Sequence, residues 1–323
     1  MFSWRTQFRE SGPKAASKKT TSKFRTSVYF SHAMFPVHFQ IPTIALRPFI
    51  QFYTQAEVSL RDPLVIRPIP ARASPMIEFV FGDRFKVRHW ESQDEVITPT
   101  TALVGMLTRP HATLLHQGTF HSFVIMFQVH GLTDLFGVPS SEVTNHTYDA
   151  DAVLGKPIRE LEQRLGNCKT FQERVSVADH FFAERLKHAQ GVDRMAFAAD
   201  QILSSSGKLP SAELAGQAGI GVRQFQREFS ARFGASPKLF SRIVRFQNAL
   251  DTKARSSTKS WTDVAHELGY FDQMHMVHDF REFTGESPTE TLRQLELIFR
   301  AQIDAVHAGR AAERPNMVRR FVI

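Results

Sequence analysis

His111, His116 and His121 recur five residues apart in the run "RPHATLLHQGTFHSF". Imidazole is a common metal ligand, but along an extended strand residues five apart point to opposite faces. Neighbouring members of the trio therefore face away from each other, and no metal site is expected. Cys168 is the single cysteine. A thiolate nucleophile needs a base beside it, and no adjacent base is discernible around Cys168, so an inert thiol is expected. One cysteine also excludes a disulfide framework and any multi-cysteine zinc centre. No phosphate-cradling loop or nucleophile–base spacing stands out, and no cofactor is expected. What remains are the arginines and glutamines of a stretch that occurs twice.

The stretch "GQAGIGVRQFQREFSARFGASP", Gly216 to Pro237, returns as "HELGYFDQMHMVHDFREFTGESP", His266 to Pro288. Leu214, Ala215 and Gly219 align with Val264, Ala265 and Gly269. After one inserted residue, Phe225, Phe229, Gly234, Ser236 and Pro237 align with Met276, Phe280, Gly285, Ser287 and Pro288. The alanine allows close helix approach, and the glycine four residues later ends the first helix in a left-handed turn. A second helix then leaves at a steep angle, as in a helix-turn-helix. Its apolar residues stand four apart and face inward, so the positions between them face outward. Ser211 is read as the N-cap of the first unit, and Ser260 with Asp263 as a capping box opening the second. Between the units Leu239, Ile243, Phe246 and Leu250 mark a connecting helix, with Arg242 and Arg245 off its apolar stripe. A rigid connection of this kind presents two helices to successive major-groove turns, roughly 34 Å apart.

Residues 209–294 resemble the DNA-binding domain of AraC/XylS-type transcriptional regulators. The likeness rests on both alanine-to-glycine turns, both F-x4-G-x-S-P endings and the spacing between them. It implies that base contacts come from the exposed residues of each second helix. In the first unit these are Arg223, Gln224, Gln226 and Arg227; in the second they are Gln273, Met274, His275 and His278. Arginine pairs bidentately with guanine and glutamine with adenine. The bland alternatives are phosphate contact alone for Arg227, a solvated surface for Arg223, and a second unit that only lies beside the backbone. The chain departs from the family in the second unit, where arginine is common at the place of His278 and small or polar residues at those of Met274 and Val277. The resemblance further implies an activator with double-stranded DNA and RNA polymerase as partners, a small-molecule effector and homodimer formation.

The elements that hold these helices divide the chain. Residues 1–35 carry seven Lys/Arg against one acidic residue and read as a disordered basic arm, or as sequence ahead of a start at Met34. Residues 36–189 read as a sensor or dimerisation domain: short strands forming a small β-barrel or curled sheet, then a helix pair. In it a Gly82-Asp83 turn separates two alternating runs, with Phe85, Val87 and His89 on one face and Arg84, Lys86 and Arg88 on the other. Phe79, Phe81, Phe123 and Phe127 are read as core, with the lining of an apolar ligand pocket as the other reading. Ile158, Leu161 and Leu165 stripe one helix; Val175, Phe181, Phe182 and Leu186 stripe the next. Residues 193–300 are the all-α DNA-binding domain, with units at about 209–237 and 260–288, and 301–323 are a tail. The fold class is thus α+β and multidomain.

Charge separates the two copies. Residues 207–259 hold ten Lys/Arg against three acidic residues, whereas 260–300 hold three against eight, within a chain of net charge +8. No apolar run reaches the length of a membrane span and no signal peptide opens the chain, so a cytoplasmic protein is expected. The competing class is an enzyme or repair protein that uses the helix-turn-helix units for targeting. The four-cysteine zinc centre of methyl-transfer repair proteins cannot be built from one cysteine. A regulator whose N-terminal domain binds a protein and no ligand stands beside the ligand-sensing reading.

Overall fold

The computed structural model describes residues 37–66, 69–89, 94–110, 112–189, 191 and 193–294. The arm at 1–35, the Met34 start, His111, and the tail at 301–323 lie outside them. Eight strands form one antiparallel sheet: β1 (Val37–Gln40), β2 (Ile50–Ile66), β3 (Met76–Val80), β4 (Lys86–His89), β5 (Glu95–Ile97), β6 (Thr101–Val104), β7 (Ala112–Phe127) and β8 (Thr147–Asp149). The order β1-β2-β7-β3-β6-β8 ends in two strands that do not pair, so the sheet is curled and open, not a closed barrel. The long β7 is its spine. β2 lines one side of it, while β3 and β4 follow each other along the other side. The Gly82-Asp83 turn is the step between them. There the chain runs so close to β7 that a Cβ on Gly82 would stand 2.2 Å from the Thr119 carbonyl oxygen.

Period-two alternation sorts each strand by face. Phe123, Ile125 and Phe127 of β7, with Ile77 and Phe79 of β3, are wholly buried beneath the helices that follow. Phe85 is buried while Arg84 and Lys86 are exposed. The helices are α1 (Gly131–Phe136), α2 (Ser140–Val143), α3 (Ala150–Leu154), α4 (Lys156–Gly166) and α5 (Phe171–Leu186). Ile158, Leu161 and Leu165 of α4 and Val175 and Phe182 of α5 fill the core above the sheet. Phe182 meets Phe127 edge-on, with ring centroids 5.7 Å apart. The phenylalanines are therefore packing residues: Phe79, Phe123 and Phe127 are fully enclosed by side chains of the fold.

The chain continues with α6 (Arg194–Ser204), α7 (Ser211–Gln217), α8 (Val222–Phe233), α9 (Pro237–Arg255), α10 (Trp261–Glu267) and α11 (Gln273–Thr284), and residues 288–294 are helical as well. Helix α9 is the connecting helix, and Ile243, Phe246 and Leu250 are buried along it. Phe225 and Phe229 of α8 and Met276 and Phe280 of α11 are all at 0% exposure, as their four-residue spacing requires. This apolar body continues into the sheet part through Ala71, Ala73, Met106 and Val129. Ser211 is not a cap: Pro210 holds that place and makes no side-chain hydrogen bond. Ser260 and Asp263 do form a capping box at α10. Among the described residues no helix is long and apolar enough to cross a membrane.

Candidate nucleic-acid interface

Both units turn on the same backbone device. The Ile220 amide donates to the Ala215 carbonyl at 3.1 Å, and the Tyr270 amide to the Ala265 carbonyl at 3.0 Å. Gly219 and Gly269 sit at φ 68° and 72°, the left-handed cap of such a turn. Leu214, Ala215, Val264 and Ala265 are buried beneath it. Residue types four positions apart thus aim α8 and α11 away from α7 and α10.

On α8, Arg223, Gln224, Gln226 and Arg227 are all exposed. Arg223 and Arg227 stand one turn apart with Gln226 beside them, and no ion pair with a described residue occupies either arginine. Gln224 is turned aside: its Nε2 donates to Glu228 at 2.9 Å. Glu228 also accepts from Arg194 of α6, and these bonds hold its carboxyl below the usual carboxylate range. The first turn of α8 is open. Gly221 makes no side-chain cap, so its leading N–H groups are unspent and suit a phosphate oxygen.

On α11, Gln273, Met274, His275 and His278 are exposed as well, but the surface differs. Gln273 accepts from the Thr262 hydroxyl at 2.7 Å through its amide oxygen. Met274 is 66% exposed and neighbours Phe271, at 88%, giving this unit an apolar tip. The ring of His275 stands edge-on to Tyr270. His278 lies 3.8 Å from Glu282. The N-terminus of α11 is closed by Asp272, which accepts from the His275 amide at 2.7 Å. Arg281, three residues after His278 on the same exposed stripe, completes the surface. Sequence reasoning passed over it, although continuing the helical period from Met274 would have found it.

His278, Asp279 and Glu282 bring one ligand atom each within 4.8 Å of one another. That cluster is already neutralised. Arg242 of α9 donates to Asp279 and to Glu282, so a cation there would have to displace a guanidinium. His116 is buried between Phe85 and Phe120 and His121 packs on Phe81, and burial lowers the pKa of both imidazoles. The Cys168 thiol donates to the Arg164 carbonyl, and burial pushes its pKa up, away from thiolate character.

Residues 214–294 match the family described as a helix-turn-helix domain, and residues 38–149 match a domain of unknown function, DUF6597. No curated protein matches the chain. Among solved structures the chain is similar to ToxT from Vibrio cholerae at 11% identity and a TM-score of 0.46, covering 76% of this chain and 98% of that one. The unsaturated fatty acid bound wild-type ToxT gives 10% and 0.46, covering 84% and 99%. The AraC-like transcriptional activator CuxR gives 14% and 0.24, covering 64% and 84%.

Proposed function

We propose, from the premise that the C-terminal part of this chain is an AraC/XylS-type double helix-turn-helix domain, that the protein is a sequence-specific regulator of transcription that reads double-stranded DNA. The observation that carries this is the face of α8: Arg223, Gln226 and Arg227 exposed on a helix that Phe225 and Phe229 anchor from behind. Two planar cations and an amide on one turn-to-turn stripe suit guanine and adenine edges in the major groove. The open first turn suits a flanking phosphate. Gln273, Met274, His275 and His278 form the second reading surface, with Arg281 added to it.

Residues 36–189 serve in this reading as the sensor or dimerisation domain and 193–300 as the DNA-binding domain. An activator's role, RNA polymerase as partner, a small-molecule effector and a homodimer belong to the same proposal. The test is selection of duplexes from a random pool by the full chain, followed by titration of salt. A recovered consensus is expected, with log affinity falling linearly in log salt because phosphate contacts release counterions. No enrichment at low salt would end the regulator reading.

A further inference from the structure

The C-terminal end of α8 is tied to the sheet part by buried polar contacts. Asp134, in α1, is wholly buried, and its two oxygens are divided between partners. One accepts from His130 Nδ1 at 2.7 Å, the other from Arg232 at 2.6 Å. Arg232 belongs to the last turn of α8, and its Nε lies 3.5 Å from Asp193, the residue that caps α6. One residue on, the single proton of the Thr144 hydroxyl is shared between the Ser140 carbonyl at 2.8 Å and the Phe233 carbonyl at 3.0 Å, the second an acceptor that the helix end leaves free. Helix α11 is held in its last turn too, two residues before its Gly285 cap: the Ala71 amide donates to the Phe283 carbonyl at 3.0 Å. Both helices thus have their far ends fixed from the sheet part, and among the described residues only α8 is tied to that part by an ion pair.

We infer that Asp134 is a positioning residue for DNA readout: through Arg232 it sets the angle at which α8 offers Arg223, Gln226 and Arg227 to the groove. The inference rests on the DNA-reading proposal above. Its mechanical basis is leverage. Helix α8 has 12 residues, so it is roughly 18 Å long at 1.5 Å per residue. A tilt of about 10° about its C-terminal end would carry its first turn by roughly 3 Å, beyond the tolerance of about 0.5 Å for a productive contact geometry. Asp134 touches no outward-facing residue of α8, so its effect on sequence preference has to pass through Arg232.

The test uses the full chain, a duplex that the wild-type chain has selected from a random pool, and a shuffled duplex of equal length. Asp134→Asn keeps the size of the side chain and removes its charge. Its affinity for the selected duplex is expected to fall by about tenfold or more, the scale of one lost bidentate contact. Affinity for the shuffled duplex and the salt slope are expected to stay within about twofold, since the phosphate contacts are untouched. Thr144→Val, which deletes the second tether, should move the ratio of the two affinities in the same direction, whereas Thr144→Ser should leave it in place. A lowered unfolding midpoint with an unchanged ratio in Asp134→Asn and Thr144→Val would overturn the proposal, because the contacts would then only hold the fold together. If Asp134→Asn does not fold, the Thr144 variants decide by the same ratio. A wild-type chain that selects no duplex removes the DNA reading itself, an outcome seen before any variant is compared.

Discussion

Arg242, on the connecting helix α9, reaches Asp279 on α11 at 2.6 Å, and that carboxylate is completely buried. The same guanidinium lies 5.1 Å over the ring of Phe283 and also bonds Glu282. A buried charge that loses its only counter-charge is strongly destabilising, while removing both charges together is near neutral. Arg242→Met should therefore lower stability by about 2–4 kcal/mol, measured by urea unfolding. Arg242→Met combined with Asp279→Leu should recover most of it. A single variant as stable as the wild type would show that the pair does not bind α9 to α11.

Gly234 ends α8 at φ 72°, and a Cβ placed on it would stand 2.6 Å from the Thr144 hydroxyl and 3.0 Å from Ser141 Cα. Gly219, at φ 68°, has nothing within 4 Å of that position. Alanine at Gly219 should cost about 1–2 kcal/mol from left-handed strain alone. Alanine at Gly234 should cost about 1–3 kcal/mol more, the scale of overpacking. Thermal unfolding of the two variants side by side decides it. Equal costs would mean that the junction between α8 and the sheet part yields freely.

The repeat was legible because its signals are local. Alanine and glycine at fixed offsets, phenylalanines four apart and the Ser260–Asp263 box each act within a few residues, and each recurs in the structure. The alternation in β7 gave its buried face for the same reason. Ser211 misled because a proline before a helix satisfies the entry geometry without a side-chain cap. What stayed hidden is tertiary. Asp134 and Arg232 are 98 residues apart, and no periodicity joins them. The acidic count of the second unit also said little about its surface. Asp279 and Glu282 are spent on Arg242, Glu267 on Lys259 and Glu290 on Arg293, all facts of folding rather than composition.

His130 sits in the same junction, bonded to Asp134 and 3.6 Å from Asp200 of α6. Burial opposes its charge, but hydrogen bonds to the two carboxylates and their negative charges outweigh that and raise the imidazole to about 9. Its folded pKa thus lies above the unfolded value of about 6.5. The stabilisation is full below about 6.5 and is lost as pH rises through about 9. Between pH 6 and pH 10 stability should fall by on the order of 1–3 kcal/mol. Each tenfold difference in proton affinity between the folded and unfolded chain contributes roughly 1.4 kcal/mol, reduced here for residual solvent access. His130→Gln should flatten this slope in pH-resolved urea unfolding. An identical slope in wild type and variant would remove the charged-imidazole assignment.

The two reading surfaces should contribute unequally. Helix α8 begins without a side-chain cap, whereas α11 begins with the Asp272 carboxylate accepting from the His275 amide. At its leading end α11 therefore offers phosphate a carboxylate where α8 offers free N–H groups, and Coulomb attraction favours α8. Arg223 and Arg227 are also suited to bidentate guanine contacts, while Met274 offers only apolar contact with a thymine methyl, and a good bidentate pair discriminates by roughly 1–3 kcal/mol. Arg223→Ala or Arg227→Ala should each weaken binding to the selected duplex by about tenfold or more. Met274→Ala should change it much less. Arg281→Ala separates the two kinds of contact: if this arginine meets phosphate, selected and shuffled duplexes weaken alike and the salt slope drops by about one. Fluorescence anisotropy on both duplexes across a salt series reads all four variants. Losses from Met274→Ala as large as those from Arg223→Ala would make α11 a full reader, and the Asp272 carboxylate would then have to lie clear of the DNA backbone.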